Sequence, residues 1–185
     1  MSKKLSEMSL EELWKLFPIR LTEYQPCWQE WYADEAEALQ KILPDTVKIN
    51  HIGSTALGTI FAKPIVDILV EIPQGEELTT YKTLLLGYGY LCMSEEKKRL
   101  SFNKGYTEKG FAERVFHLHL RYAGDHDELY FRDYLMKNPE AACEYEALKL
   151  SLWKEFEFNR DGYTNAKTDF VRACTQKAKL LHENK

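Results

Sequence analysis

A glycine, a serine and an aspartate are the residues of this sequence best suited to phosphate chemistry. Gly53 and Ser54 follow a predicted strand and open a short predicted helical turn. Such a step offers an anion close backbone approach, a hydroxyl donor and the unpaired N–H groups of a helix start. His51 stands directly before it, and we expect this histidine either to anchor the loop by a hydrogen bond or to orient it toward a phosphate. These residues predict a phosphate-binding loop.

The aspartate, Asp67, lies in an otherwise apolar run over residues 65–72. Because side chains alternate along a strand, Asp67, Leu69 and Glu71 share one face. A carboxylate in such surroundings is costly unless it is paired or bound to a metal, so we expect Asp67 to point into a cleft. Glu71 lies about 13 Å further along the strand, at a rise of roughly 3.3 Å per residue. Glu71 is therefore too distant to share an ion with Asp67.

Two histidines, His117 and His119, fall on one face of a second predicted strand. Histidines at this spacing could bind a metal ion or a phosphate, and they also occur as ordinary hydrogen-bonded residues. Imidazole suits Zn²⁺ or Mn²⁺ better than Mg²⁺, which prefers oxygen ligands. Arg99 and Lys104, which precede this strand, could face an anionic ligand or simply be solvated. The residues alone leave these alternatives open.

Strand and helix signals alternate as far as Tyr122, and only helix signals follow. Alternating apolar residues predict strands over residues 46–52, 65–72 and 88–94 and a hairpin over residues 99–122. Helical spacing predicts helices over residues 10–17, 26–43, 76–86, 128–136, 140–158 and 163–182. The pattern predicts an α+β fold: a mixed, mostly antiparallel sheet of about five strands with Asp67 on an inner strand. We expect helices on one face of the sheet, a cleft on the other and a C-terminal helical segment.

Length and composition predict one globular domain over residues 1–185, in which residues 1–20 form an N-terminal docking helix and residues 125–185 a helical annex. The net charge of −4 argues against a general polyanion binder, so we do not expect nucleic acid as a partner. Four widely spaced cysteines predict buried thiols in a reducing compartment. Because no signal peptide or membrane-spanning run is evident, we expect a cytoplasmic protein without a membrane partner.

The motifs resemble those of one known family. The match begins at about residue 24, and its motifs are His51-Ile-Gly-Ser-Thr-Ala56, Ala62-Lys-Pro-Ile-Val-Asp-Ile-Leu-Val70, His117-Leu-His119, Phe131-Arg-Asp-Tyr-Leu135, Asn138-Pro-Glu140 and Tyr163 with Lys167. This pattern is similar to the GrpB family, a branch of the polymerase-beta-type nucleotidyltransferase superfamily. The resemblance implies a nucleotidyltransferase-like core, with the glycine–serine step on a short helix beside the strand that bears Asp67.

The resemblance also implies roles for individual residues. A divalent metal ion, Mg²⁺ or Mn²⁺, would be bound by Asp67, His117 and His119, of which Asp67 and His119 would be catalytic. His51 would orient the loop. The residues that would bind phosphate are Gly53, Ser54, Lys63, Arg132 and Lys167.

The sequence departs from the family patterns at two places. GrpB proteins usually have Pro-Gly at Gly58-Thr59, and active members of the superfamily carry a second carboxylate at the position of Leu69. We expect a nucleotidyltransferase or phosphotransferase that uses a nucleoside triphosphate and a divalent metal, with an unspecified acceptor. The alternative, which Leu69 supports, is a catalytically inactive protein that binds a nucleotide or a small phosphorylated molecule. A module that binds only proteins would need none of these site residues.

Overall fold

The computed structural model describes residues 3–183 and contains one five-stranded mixed sheet with seven α-helices among these residues. The strands are β1 (Lys48–Ile52), β2 (Val66–Ile72), β3 (Leu91–Glu95), β4 (Arg99–Thr107) and β5 (Gly110–Tyr122). The helices are α1 (Leu10–Leu16), α2 (Cys27–Ile42), α3 (Leu78–Gly87), α4 (Asp127–Lys137), α5 (Pro139–Trp153), α6 (Arg160–Ala166) and α7 (Thr168–Glu183). The predicted α+β class is confirmed. Within residues 3–183, none of the helices combines the length and apolar content that crossing a membrane requires.

The order of the strands places β2 and β5 side by side in the middle of the sheet. The order is β1-β2-β5-β4-β3, in which only β2 and β5 are parallel neighbours among the described strands. The register pairs Asp67 on β2 with Ile52 at the end of β1 and with His117 on β5. Asp67 therefore lies on an inner strand, as predicted, between the end of β1 and the first histidine.

One face of the sheet is covered by α2 and α3 and forms the main core. The alternate residues Val66, Ile68 and Val70 of β2 are fully buried there. Burial of each such side chain contributes roughly 1.5–3 kcal/mol. The helices contribute Trp28, Leu39, Tyr81 and Leu85 to the same core. The intervening residues of β2 and β5 point to the opposite face, which confirms the predicted arrangement of helices on one face.

The C-terminal segment contains four helices, and the predicted single helix over residues 163–182 is wrong. The polar run over residues 159–162 begins α6 instead of only ending the preceding helix, because the side chain of Asn159 accepts a hydrogen bond from the N–H of Gly162 at 2.9 Å. A separate helix, α7, then starts at Thr168. A second apolar cluster joins these helices to the loop after β1, and it contains Ile60, Leu135, Ala142 and Tyr145.

The N-terminal segment begins with the predicted capping box and docks through one aromatic ring. The Ser9 side chain accepts a hydrogen bond from the N–H of Glu12 at 3.2 Å, and the Glu12 carboxylate accepts one from the N–H of Ser9 at 2.7 Å. No residue of α1 is fully buried. Phe17, which follows α1, is buried with its ring centroid 4.7 Å from that of Tyr106 and 5.0 Å from that of Phe111. Residues 1 and 2 lie outside the described part of the predicted docking helix.

Candidate functional site

The loop after β1 passes so close to the Asp67 side chain that only glycine fits at position 53. Gly53 has φ +72°, and a Cβ atom built there would lie 2.3 Å from Oδ2 of Asp67. Both the backbone conformation and this close approach require the missing side chain. The 3-10 turn Ser54–Ala56 follows directly, so the hydroxyl of Ser54 and the carboxylate of Asp67 line the same cavity.

This cavity has a volume of about 110 Å³ and brings three lysines together with Asp67. Lys149, on α5, is 2% exposed and donates hydrogen bonds to Oγ of Ser54 at 3.0 Å and to the carbonyl of Phe61. The Nζ atom of Lys167, after α6, lies 4.1 Å from the centroid of the Tyr163 ring. Lys63 comes from the segment before β2. With all four groups ionised, the cavity carries a net charge of about +2.

Burial makes the charged form of each cavity lysine unfavourable. Burial lowers the pKa of Lys63 to about 7, assisted by the charges of Arg160, Lys167 and Lys149 and opposed by Asp67. Burial and the charge of Lys167 lower the pKa of Lys149 to about 7, opposed by Glu146, and burial lowers that of Lys167 to about 8, opposed by Asp67. A bound anion would offset this cost of burying charged lysines, because an opposite charge nearby favours the protonated amine.

Two tyrosines complete the cavity wall, and one of them has an unused polar atom. Tyr145 is buried and hydrogen-bonds to Ser54, while Tyr163 is 1% exposed. The Tyr163 hydroxyl has no hydrogen-bond partner within residues 3–183. Because buried hydroxyl groups are normally hydrogen-bonded, this atom is suited to a water molecule or a ligand oxygen.

Asp67 is held in its ionised form at the mouth of the cavity. Its side chain is 27% exposed, and Oδ1 lies 3.2 Å from Nδ1 of His117. Burial alone raises the pKa of Asp67, but the hydrogen bond from His117 and the charges of Lys63 and of the two histidines, which are protonated at the low pH where Asp67 titrates, lower it to about 2. Asp67 is therefore a carboxylate at every pH at which the protein is studied in practice.

A chain of hydrogen bonds fixes the protonation of His117. Nη1 of Arg160 donates to the hydroxyl of Tyr106 at 2.7 Å, and this hydroxyl lies 2.7 Å from Nε2 of His117. Since the Tyr106 oxygen already accepts from arginine, its own hydrogen is available for Nε2, and Nδ1 then carries the proton that faces Asp67. Burial lowers the pKa of His117 despite the nearby carboxylate, which agrees with a neutral ring.

His119, on the same face of β5, is also a neutral ring with its acceptor nitrogen occupied. Nη2 of Arg121 lies 3.2 Å from Nδ1 of His119 and can only donate to it. Burial lowers the pKa of His119 to about 4, against the opposing charge of Asp67. Neither histidine therefore has a free lone pair for a metal ion, since that of His117 is engaged by Tyr106.

The donor set does not fit a metal ion held by the protein itself, contrary to the metal site predicted at Asp67, His117 and His119. Within residues 3–183, no three His, Cys, Asp or Glu side chains converge as a metal-binding group. Leu69 is fully buried where a second carboxylate would stand, and Glu71 is hydrogen-bonded to His126 at 2.7 Å. The three cavity lysines add a positive charge that opposes a free cation.

His51 anchors the loop from behind. Its ring nitrogens lie 3.3 Å from Oε1 of Gln29 and 3.0 Å from Oγ1 of Thr55, and its ring stacks on Tyr32 with 4.5 Å between centroids. Burial lowers its pKa to about 4, with a further contribution from Arg132 and opposition from Asp67. These contacts hold a neutral ring on the far side of the Gly53 turn.

Arg132 reaches the same loop but does not line the cavity. Its Nη1 donates to the carbonyl of His51 at 2.8 Å, and its Nε donates to Oδ1 of Asp133 at 2.7 Å. The structure therefore brings together Gly53, Ser54, Lys63, Asp67 and Lys167 of the predicted residues, with His117 and His119 beside them, and leaves Arg132 and His51 behind the loop.

Four residues of the site were missed by the sequence reasoning: Tyr106, Tyr145, Lys149 and Arg160. A signal for two of them was present, because Tyr145 and Lys149 repeat the four-residue spacing of Tyr163 and Lys167 on a second helix. No comparable signal marks Tyr106 or Arg160, whose roles depend on contacts between distant segments.

Comparison with known proteins places the chain in a family. Residues 18–177 match the GrpB protein family. The chain is 34% identical to the glutamate-rich protein GrpB of Alkalihalophilus pseudofirmus over 78% of this chain and 86% of that protein. It is 30% identical to the UPF0157 protein YqkA of Bacillus subtilis and 35% identical to a UPF0157 protein of Pseudomonas aeruginosa, over 95% and 79% of this chain. It spans only 52% and 62% of the lengths of these last two relatives.

Solved structures agree with the sequence comparison. The crystal structure of GrpB from Enterococcus faecalis superposes with a TM-score of 0.73 and 33% identity, over 86% of this chain and 96% of that one. The Cid1 poly(U) polymerase, solved with MgGTP bound, shares the fold alone, with a TM-score of 0.51 and 12% identity over 76% of this chain and 44% of that one. The chain belongs to the GrpB protein family and has a nucleotidyltransferase-like fold.

Proposed function

We propose that the cavity beneath the Gly53 loop binds the terminal phosphate groups of a nucleoside triphosphate or of another small phosphorylated molecule. The observation that carries this proposal is the cluster of three lysines, one buried (Lys149) and two half-buried (Lys63 and Lys167), around a cavity whose lining contains one carboxylate, that of Asp67. Buried charges are normally paired, and an excess of positive charge in an enclosed cavity is compensated by an anion.

Each polar group of the cavity has a use in binding a phosphate group. The Ser54 hydroxyl and the lysine ammonium groups are donors, and the free Tyr163 hydroxyl would gain a partner. A phosphate dianion would balance the net charge of about +2, and it would keep the lysines protonated. The small volume of about 110 Å³ suits one such group and excludes most of the competing water.

The class of nucleotide ligand is supported by the shared fold of Cid1, which was solved with MgGTP. The Mg²⁺ ion of that structure is not carried over to this chain, because the side chains at the site do not fit a metal ion held by the protein alone. The proposal therefore requires no metal bound by Asp67, His117 or His119, and we expect polyphosphate affinity to persist in EDTA.

A second candidate function is nucleotidyl or phosphoryl transfer, and the observation that favours it is the ionised, partly exposed Asp67 beside neutral His117. Asp67 could accept the proton of an acceptor hydroxyl as the new O–P bond forms. The bond from phosphorus to the leaving phosphate oxygen would then break, and the lysines would stabilise the charge that develops on the leaving group. This step needs an acceptor that remains to be identified.

Calorimetric titration tests the first proposal. Sulfate, pyrophosphate and ATP should each bind in EDTA, and Lys149→Met should abolish binding. Ser54→Ala should weaken binding about tenfold or more, because a lost hydrogen bond to a charged group costs roughly 1.5–3 kcal/mol. Lys154→Met is the matched control, since Lys154 is an exposed lysine at the end of the same helix. Binding that is unaffected by Lys149→Met would refute the cavity as the site.

Release of pyrophosphate or phosphate separates the two candidates. Binding of ATP without release, with a panel of small hydroxyl acceptors and with either Mg²⁺ or Mn²⁺ present, supports a binding protein. Release that disappears in Asp67→Asn, while sulfate affinity is retained, supports the transferase.

A further inference from the structure

A larger cleft opens on the sheet face that carries the two histidines. Its volume is about 1220 Å³, and α1 and β3 contribute apolar side chains to it. Leu10 on α1 is 63% exposed, and Leu91 and Met93 on β3 are 45% and 57% exposed. Trp14 on α1 also lines the cleft. Apolar side chains from two separate elements thus remain uncovered in one concave space.

The cleft is continuous with the phosphate cavity. Lys63 and Asp67 line both spaces, so the two spaces meet at these side chains. The cavity accommodates little more than one phosphate group. A phosphate ester that seats its charged end among the lysines can therefore extend its organic part past Asp67 and into the cleft.

The chemistry of the cleft differs from that of the cavity. Ligand pockets typically combine apolar walls with a few polar groups that fix orientation. Here the apolar walls are accompanied by Asn103, Arg160 and the two histidines on the floor and rim. The wall formed by α1 lies before residue 18, where the family match begins, so the match itself does not account for it.

We propose that this cleft binds the apolar or aromatic body of the phosphorylated ligand, and that α1 and β3 determine which ligands fit. The inference rests on the proposed phosphate cavity, which holds the charged end of the same molecule. Contiguous exposed apolar surface on a folded protein commonly marks a binding site, and its continuity with the lysine cluster identifies the occupant as an amphiphilic phosphate ester.

Calorimetric titration with three phosphate monoesters tests the inference: ethyl phosphate, octyl phosphate and 1-naphthyl phosphate. At least one of the two larger esters should bind about tenfold more tightly than ethyl phosphate, the gain expected when about 60 Å² of apolar surface leaves water. Leu91→Ser and Trp14→Ala should remove most of this gain and leave the affinity for ethyl phosphate within about twofold. Leu86→Ser is the matched control, because Leu86 is 44% exposed on α3, at the opposite face of the sheet.

The outcomes separate this inference from the proposed function. If ethyl phosphate and pyrophosphate bind but the larger esters gain less than about twofold, the cleft proposal is overturned and the phosphate cavity stands. If neither ethyl phosphate nor pyrophosphate binds, both fail. If Leu91→Ser instead converts a dimer into a monomer in sedimentation, the cleft is an interface between copies of the chain, and the proposal is also overturned. Trp14→Ala and Leu91→Ser alter opposite walls, so one misfolded variant leaves the other as a test.

Discussion

Lysines that are buried or half-buried have different partners on the two faces of the sheet. On the face covered by α2, Lys104 lies 2.8 and 3.1 Å from the two carboxylate oxygens of Glu35, which also accepts a hydrogen bond from Tyr90 at 2.9 Å. On the opposite face, Lys63, Lys149 and Lys167 line a cavity that contains one carboxylate, that of Asp67, and Glu146 acts on Lys149 from outside the lining. Within residues 3–183, none of these three forms an ion pair within 4 Å of an acidic side chain. Arg99, the other basic residue considered from the sequence, is likewise paired, with Asp125.

We infer from this difference that Lys104 has a structural role, and the proposed ligand-binding role is assigned to the three cavity lysines. A buried charge with a dedicated partner is part of the scaffold, and removing one partner leaves the other uncompensated. A buried charge without a dedicated partner lowers the stability of the free protein, and either deprotonation or a bound anion relieves this cost. The number of acids near a lysine, more than its burial, therefore indicates its role.

The largest expected loss of stability follows from replacing Lys104, the lysine that is paired with Glu35. Lys104→Met should destabilise the protein by about 3 kcal/mol, because it leaves the carboxylate of Glu35, 7% exposed, without its cation. Lys149→Met, the same change on the open face, should leave the free energy of unfolding unchanged or raise it. Urea denaturation at pH 7 measures both. The double variant Lys104→Met/Glu35→Gln should recover most of the loss, and similar losses from both single variants would break the comparison.

The next effect concerns the turn beside Asp67. Gly53→Ala should destabilise the protein by about 2 kcal/mol or more, since positive φ costs roughly 1–2 kcal/mol and the added Cβ would also meet Asp67. Gly58→Ala is the matched control: its φ is +77°, but the nearest atom to its added Cβ, in Tyr24, lies 4.0 Å away. Thermal unfolding should show a clearly larger loss of stability for Gly53→Ala than for Gly58→Ala. Equal losses would mean that the Asp67 side chain shifts to make room for the added Cβ at no cost in stability.

The pH dependence of anion binding should oppose that of stability. The pKa values of Lys63 and Lys149 are lowered to about 7 and that of Lys167 to about 8, from 10.5 in the unfolded chain. Between about pH 7 and 10 the unfolded chain therefore binds more protons than the folded protein. The charged lysines lower the stability of the free protein at low pH, and this loss of stability disappears as the lysines deprotonate with rising pH. Sulfate, whose charge is constant, should bind more weakly as pH rises from 6 to 9, by about tenfold.

Calorimetry in buffers of different ionisation enthalpy checks this sign directly. Sulfate binding at pH 8 should take up protons, because the bound anion raises the pKa values of the cavity lysines. An affinity that does not change with pH, without proton uptake, would show that the lysines are already charged in the free protein. Proton release would contradict the expected sign.

The smallest effect is expected from the hydrogen-bond chain to His117. Tyr106→Phe should cost about 1 kcal/mol of stability, because Nε2 of His117 and the guanidinium of Arg160 each lose a partner. The more informative readout is the tautomer, because only Tyr106 holds Nε2 as an acceptor. Nitrogen-15 NMR should show Nδ1–H in the wild type and a mixture in Tyr106→Phe. If the tautomer of His117 is the same in Tyr106→Phe, then Asp67 alone determines it.

The periodicity of apolar residues along the chain was sufficient to predict the sheet and the position of Asp67 on an inner strand. The alternation of residues 65–72 predicted which residues of β2 face the main core, but on the other side only Asp67 is partly exposed, because Leu69 and Glu71 are buried as well. It could not predict that Asn159 begins a helix, because asparagine both ends and caps helices. Nor could it place Arg132 behind the loop or Lys149 against Ser54, since these contacts join segments that are 81 and 95 residues apart and depend on how the helices pack.

The parallel pairing of β2 with β5 has a consequence for the order of folding. Asp67 and His117 are about 50 residues apart in the chain, whereas β4 and β5 are joined by a tight turn. Because closing a long loop costs more entropy than closing a hairpin, we expect β4 and β5 to pair before β5 reaches β2. During synthesis, Asp67 leaves the ribosome well before the strand that will carry its histidine partner. The cavity beneath the Gly53 loop also needs Lys149 and Lys167 from the C-terminal helices, so it is among the last parts of the protein to form.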